Sequence, residues 1–177
     1  VVGSPTPPGC DANADPKDAP KCVVSEYGAF VDGTGGDDAN PGTKESPVKT
    51  IGAALSKIGN KPRIYICEGT YAEHVKLTSA ISLYGAWSCG TWTYDATKKV
   101  SITPGDAGFA LSISGAALMT TIADVQFTAL DAANAGESSI AVFLSKSSVL
   151  LRRVNAVAGS SKSGALAGVL TSNMYPN

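Results

Sequence analysis

Short apolar runs separated by turn-forming residues make up most of the chain beyond residue 62. Each run holds about five residues rich in Val, Ile, Leu or aromatic side chains, and Gly, Ser, Asp or Asn follows it, which is typical of short β-strands. The clearest runs are RIYICEG, ISLYGAW, VSITPG, FALSISG, TTIADVQFTA, SIAVFLSKS and VLLRRVNAVAG. The pattern predicts an all-β fold whose strands are joined by tight turns.

One helix is predicted, near the start of the chain. A short strand at Phe30 and Val31 leads into the turn-rich loop DGTGGDDANPGT, and Ser46 and Pro47 then provide an N-cap and a first helical residue. Gly59 is the expected end of this helix. Apolar residues recur at steps of three and four and form one face: Val48, Ile51, Ala54, Leu55 and Ile58.

The second half of the chain contains an internal repeat. The segment ALSISGAALMTTIADVQFTAL aligns with AVFLSKSSVLLRRVNAVAG, which pairs Ile113 with Phe143, Leu118 with Val149, and Val125 with Val154. The step of about thirty residues lies in the range of solenoid repeats, so like positions are expected to stack. An antiparallel sandwich of short strands remains the alternative.

Residues 1–29 differ in composition from the rest of the chain. They are rich in Pro and Asp and poor in large apolar side chains, so this leader cannot bury enough surface to fold alone. We expect a leader or linker over residues 1–29, either a tether or a disordered arm, and one domain over residues 30–177.

Four cysteines allow three disulfide connectivities, and we expect the two sequence-local pairs, Cys10 with Cys22 and Cys67 with Cys89. No two cysteines have the close spacing of zinc ligands, and the chain has a single histidine, His74. Disulfides form in oxidising compartments, so this interpretation predicts an extracellular or cell-surface protein.

The segments VDGTGGDDANPGTKESPVKTIGAAL, IYICEGTYAEHVKL and ISLYGAW resemble the first coils of pectin-lyase-like proteins. The resemblance covers roughly residues 27–155. It implies a right-handed parallel β-helix with an N-terminal capping helix. Enzymes, adhesins and uncharacterised bacterial surface proteins share these motifs, so the resemblance points to a fold more than to an activity.

Charge and hydropathy exclude two classes of partner. The chain has 14 Lys and Arg against 15 Asp and Glu, a net charge of −1, and so lacks the basic face that nucleic-acid binding needs. No run of about 18 apolar residues occurs, so no membrane span is predicted.

Few residues suggest catalysis. Asp124, Arg152 and Arg153 are the candidates on the central strands, but Asp124 and Arg153 occupy matching repeat positions, which an ion pair between coils also explains. Because side chains alternate along a strand, only one of the two arginines is expected to face outward. No strand carries the paired carboxylates of a glycoside hydrolase.

Two further groups could bind ligands. The loop residues Asp32, Asp37, Asp38 and Asn40 offer oxygen atoms for calcium, although turn and capping roles also suit them, and no other cofactor is expected. An aromatic cluster in LYGAWSCGTWTY could stack on sugar rings or could cover the strands. Its members are Tyr84, Trp87, Trp92 and Tyr94.

The sequence favours a module for binding or adhesion, with a polysaccharide or matrix component as its partner. A polysaccharide lyase or glycoside hydrolase is one alternative. A structural component of a surface assembly is another. The final segment GALAGVLTSNMYPN offers no cover for the last coil, so we expect either that the chain is a fragment of a longer β-helix or that a second chain continues the stack.

Overall fold

The computed structural model describes residues 4–164. This range holds twelve strands, one α-helix and a 3₁₀ turn at Pro20–Cys22. The helix, α1, spans Ile51–Lys57. The strands are β1 Gly28–Val31, β2 Arg63–Cys67, β3 Gly69–Tyr71, β4 Val75–Leu77, β5 Ser82–Trp87, β6 Val100–Ile102, β7 Leu111–Ser114, β8 Thr120–Ala123, β9 Val125–Thr128, β10 Val142–Ser145, β11 Val149–Arg152 and β12 Asn155–Val157.

The strands form three sheets, which the chain enters in rotation. Sheet I has the order β1-β2-β5-β8-β11, sheet II the order β3-β6-β9-β12, and sheet III the order β4-β7-β10. Every pairing between these strands is parallel. Parallel sheets visited in rotation are consistent with a β-helix, and the antiparallel sandwich is wrong.

The core lies between the three sheets. Alternate side chains of each strand point inward, so Ile64, Leu83 and Ile122 stack in register across sheet I. All three are fully buried, as are Phe127 of sheet II and Leu111 of sheet III. Alternate residues of the apolar runs thus form the inner faces of the sheets.

The repeat is present, but part of its register was predicted wrongly. Ile113 pairs with Leu144 rather than Phe143, a slip of one residue that turns the Phe143 ring to the outer face. The step is 31 residues in sheet III (Leu111 to Val142) and 29 in sheet I, where Thr120, not Leu118, pairs with Val149. A turn of different length in the two repeats causes the mismatch.

Helix α1 begins later than predicted. Val48 forms a parallel bridge with Val31, so the chain is still extended at Ser46 and Pro47. Thr50 is the N-cap, and its side chain accepts a hydrogen bond from the Ala53 N–H. The predicted end is confirmed, because Gly59 follows the last helical residues with a φ of +57°. No helix within residues 4–164 is long and apolar enough to cross a membrane.

The leader lies against sheet I. Both predicted disulfides are present, Cys10–Cys22 and Cys67–Cys89. Cys22, Val23 and Tyr27 are buried, and the Tyr65 hydroxyl of β2 donates to the Cys22 carbonyl at 2.7 Å. The leader therefore forms an additional layer on the outer face of sheet I. The domain boundary after residue 29 stays a prediction.

The last described strands carry partly exposed apolar side chains, with Leu144, Leu151 and Val157 each about 40% exposed. The expected open end of the stack falls largely on residues 165–177, which lie outside the described residues.

Candidate functional site

The outer face of sheet I carries a ladder of aromatic rings. Phe30, Tyr65 and Tyr84 occupy equivalent positions on β1, β2 and β5. Strand alternation turns them outward while their neighbours enter the core. Trp92 packs edge-on against Phe30 at 4.7 Å between ring centroids, and Trp87 packs edge-on against Tyr65 at 5.6 Å. Burial raises the pKa of Tyr65 above its ordinary value, so it stays a neutral hydrogen-bond donor.

The four predicted ligand-binding aromatics divide by exposure. Tyr84, Trp87 and Trp92 are buried, whereas Tyr94 is half-buried. The Trp92 indole N–H donates to the Lys44 carbonyl at 3.0 Å. The Trp87 indole nitrogen is buried and has no hydrogen-bond partner among the described residues. The tryptophans therefore pack over the strands, and sugar binding by this cluster stays a prediction.

A groove of about 350 Å³ borders the cluster, between the leader and the loop that follows β5. We call it the aromatic groove. Its lining includes Trp87, Thr91, Trp92, Thr93, Tyr94, Lys17 and Lys44, together with Pro16 and Pro20 of the leader. The Cys67–Cys89 disulfide ties the loop to β2. The groove combines aromatic edges, hydroxyls and ammonium groups in one place.

The three catalytic candidates lie in a charged cluster at the corner between sheets I and II. Arg153 donates to both carboxylate oxygens of Asp124, at 2.6 and 2.7 Å, so the ion pair between coils is present. Its Nη2 also donates to Asp15 of the leader at 2.7 Å. The hydrogen bonds to Asp124 raise the pKa of Arg153. Arg153 is therefore a fixed cation and not a base.

The prediction that only one arginine faces outward is wrong. Arg152 and Arg153 are 40% and 41% exposed, and both approach Asp15, with Arg152 at 3.9 Å. The reason is the corner conformation. Arg153 and Asp124 have φ values of +52° and +59°, which take them out of strand alternation. A regular two-residue alternation cannot anticipate such a corner.

The acidic loop uses its carboxylates locally. Asp32 accepts from the Thr34 and Gly35 N–H groups at 2.9 and 2.8 Å, and Asp37 accepts from the Ala39 N–H at 2.8 Å. Such bonds are the ordinary chemistry of Asp in turns.

Asp38 and Asn40 tie the loop to the helix. Asp38 accepts from the Lys49 and Thr50 N–H groups, and although desolvation opposes the shift, these bonds lower its pKa. The Lys57 ammonium donates to the backbone carbonyls of Asp38 and Asn40. Two backbone oxygens of the acidic loop are therefore already hydrogen-bonded to a lysine.

Asp32 also lies beside Cys67 and Cys89, with potential ligand atoms within 4.8 Å of one another. The two sulfurs form a disulfide, so neither provides the thiolate that binds a metal. A calcium site at the acidic loop stays a prediction.

Glu73 and His74, between β3 and β4, connect neighbouring loops. Glu73 accepts from two N–H groups at the start of α1, those of Ile51 and Gly52. His74 bonds to the Phe109 carbonyl at 2.7 Å and to Asp106 at 3.0 Å, and these acceptors, the carbonyl first, raise its pKa. Glu73 therefore stabilises the start of α1, and His74 stabilises the loop before β7.

Sequence reasoning missed two residues of the outer face, Arg63 and Asp15. Arg63 begins the apolar run RIYIC at an outward position. A single charged residue in an apolar run was the feature of the sequence that could have identified it. Asp15 gave no signal, because its partner Arg153 lies 138 residues away.

Comparison with known families gives one match. The family described as "Protein of unknown function (DUF1565)" matches residues 34–164, well over half of the chain. No curated protein and no solved structure matches. The chain therefore belongs to the DUF1565 family, and the matched range begins after β1 and leaves out the leader.

Proposed function

We propose that this DUF1565 member is a secreted or cell-surface carbohydrate-binding module, built as a right-handed parallel β-helix with α1 covering its N-terminal end. The rotation of the chain through three parallel sheets supports the solenoid. So does the family, which is associated with pectin-lyase-like β-helix proteins. Helix α1 contacts β1 and β2, the first two strands of sheet I, which supports its role as a cap.

The observation that carries the binding proposal is the aromatic groove. Trp87 borders it with a buried indole N–H that lacks a hydrogen-bond partner among the described residues. Tyr94 is half-buried and presents part of its ring. Sugars are bound by aromatic surfaces together with nearby hydroxyl donors and acceptors, and Thr91 and Thr93 supply hydroxyls at the rim.

The two disulfides support the proposed compartment. Disulfides persist in extracellular and periplasmic proteins and are rare in the cytosol. Cys10–Cys22 closes the leader into a loop, and Cys67–Cys89 ties the loop after β5 to β2.

A polysaccharide lyase or hydrolase finds less support. A lyase needs a base and a free cation, whereas Arg153 is held by Asp124 and Asp15. The other alternative, a structural component of an assembly, depends on the end of the chain beyond residue 164.

The test is retention on immobilised polysaccharides, both neutral and acidic, with and without calcium. We expect retention of the wild-type protein on at least one polymer and weaker retention of Tyr94→Ala. Phe143→Ala is the matched control, because Phe143 is a partly exposed aromatic on sheet III, and it should be retained like the wild type.

A parallel assay follows unsaturated products and new reducing ends. Turnover of any polymer would contradict the binding proposal and make the protein an enzyme. Absence of retention on every polymer, or equal losses for Tyr94→Ala and Phe143→Ala, would reject the aromatic groove as a sugar site.

A further inference from the structure

A second groove of about 350 Å³ lies on the outer face of sheet I and is lined in part by leader residues 12–14. We call it the sheet I groove. Ser82 and Thr121 form part of its floor, and Arg63, Tyr84, Met119 and Arg152 border it. None of its lining residues lines the aromatic groove.

Arg63 is an unusual residue for this position, because it is only 4% exposed. Its guanidinium lies over the rings of Tyr27 and Tyr84, at 5.0 and 5.4 Å from their centroids. Cation–π contacts stabilise the charge but do not replace the hydrogen-bond acceptors that its N–H groups need.

The edge of the guanidinium is only partly satisfied. Nη2 donates to the Ala12 carbonyl at 2.6 Å. Nη1 is buried and has no hydrogen-bond partner among the described residues. The nearby Tyr65 hydroxyl donates to the Cys22 carbonyl, and the positive charge of Arg63 opposes the rise that burial causes in the pKa of Tyr65. A buried charged donor without an acceptor is costly, so an acceptor supplied by a ligand would be strongly favoured.

The charged side chains that line the sheet I groove are all positive. Arg63 and Arg152 line it, and no carboxylate appears among its described lining residues. Asp15, which lies outside the lining, is held by Arg153 at 2.7 Å and lies 3.9 Å from Arg152. Two guanidinium groups in one groove of a chain with a net charge of −1 favour an anion.

The groove also has an apolar wall. Leu118 and Met119, in the turn before β8, are 73% and 63% exposed and line one side. Exposed apolar side chains beside a buried donor are typical of sites for small amphiphilic molecules.

We propose that the sheet I groove binds a small organic carboxylate with an apolar body. The carboxylate accepts from Arg63 Nη1 and Arg152, and the apolar body packs on Leu118 and Met119. Because Nη1 is buried, the side chains around it must shift locally to admit the ligand, an adjustment of the kind that often accompanies binding. The proposal is independent of carbohydrate binding at the aromatic groove.

The test is isothermal titration calorimetry of the full chain with 3-phenylpropionate, and with 3-phenylpropanamide as the uncharged analogue. We expect the carboxylate to bind and the amide to bind roughly tenfold more weakly or worse. Arg152→Gln should weaken binding of the carboxylate by about tenfold, because it removes one charge-assisted hydrogen bond. Leu118→Ser should also weaken binding of the carboxylate, because it removes an apolar contact with the body of the ligand.

The matched control is Lys76→Gln, which removes the same charge from the exposed face of β4 in sheet III and should leave binding unchanged. Arg63→Lys keeps the charge but lacks the planar set of guanidinium N–H donors, so it should also weaken binding. Circular dichroism checks that this variant is folded. The proposal would be overturned if the acid and the amide bound equally well, or if Arg152→Gln and Lys76→Gln had equal effects. It would also be overturned if inorganic phosphate bound as tightly as the carboxylate, or if no binding occurred at millimolar ligand.

Discussion

Thr120 is a buried polar residue without an evident reason to be polar. It begins β8, is fully buried, and its hydroxyl has no hydrogen-bond partner among the described residues. A buried hydroxyl without a partner costs roughly 1–3 kcal/mol. Its neighbour on the next strand is Val149, so an apolar side chain of the same shape suits the position.

We therefore predict that Thr120→Val raises the free energy of unfolding by about 1 kcal/mol, measured by urea denaturation. Thr121→Val is the control, since Thr121 is half-buried on the outer face and should change stability by less than about 0.5 kcal/mol. A destabilised Thr120→Val protein would show that the hydroxyl has a partner, such as a bound water.

Individual side chains differ in how well the sequence predicts them. Strand alternation is a local rule, and it sorts inward Ile64 from outward Tyr65 correctly. It does not predict that Trp92 is buried, because the covering groups come from distant segments, including the carbonyl of Lys44. Residue identity predicts the possible contacts of a side chain, and the fold decides which of them form.

Helix α1 depends on a residue from another part of the chain. It has seven residues, and isolated helices of that length are unstable in water. Glu73 accepts hydrogen bonds from the N–H groups of Ile51 and Gly52, at 2.7 and 2.9 Å. A carboxylate also interacts favourably with the positive end of the helix dipole.

We predict that Glu73→Ala lowers the free energy of unfolding by about 1–2 kcal/mol, because two N–H groups at the start of α1 lose their acceptor. Glu45→Ala is the control, an exposed glutamate in the preceding loop. Hydrogen exchange should be faster at Ile51 and Gly52 in the Glu73 variant alone. Unchanged exchange there would mean that Glu73 does not stabilise the helix start.

The boundaries of elements were harder to predict than their existence. Ser46 and Pro47 form a convincing helix start by local rules, but the bridge between Val48 and Val31 keeps the chain extended until Thr50. The end at Gly59 was predicted because a left-handed glycine is a local requirement. Sheet pairing is a non-local interaction, and here it overrides the local preference.

At the scale of the molecule, the leader and the last described round of strands are joined. Asp15 of the leader is held between Arg152 and Arg153, while Cys10–Cys22 closes the leader into a loop. Because the Asp15 side chain is only 8% exposed, the ion pair is partly shielded from solvent. The leader therefore spans several strands of sheet I and separates the aromatic groove from the sheet I groove.

This arrangement predicts that Asp15→Ala loosens the leader. Arg153 is 41% exposed and keeps its bonds to Asp124, so solvent screening limits the loss to about 1 kcal/mol of unfolding free energy. Hydrogen exchange should accelerate at Cys22 and Val23, in the buried part of the leader, and stay unchanged in β6 and β7. Asp18→Ala is the control, because Asp18 is 63% exposed and pairs with Lys17 within the same segment. If both variants exchange alike, the ion pair between Asp15 and Arg153 does not hold the leader, and the packing of Val23 and Tyr27 against sheet I does so instead.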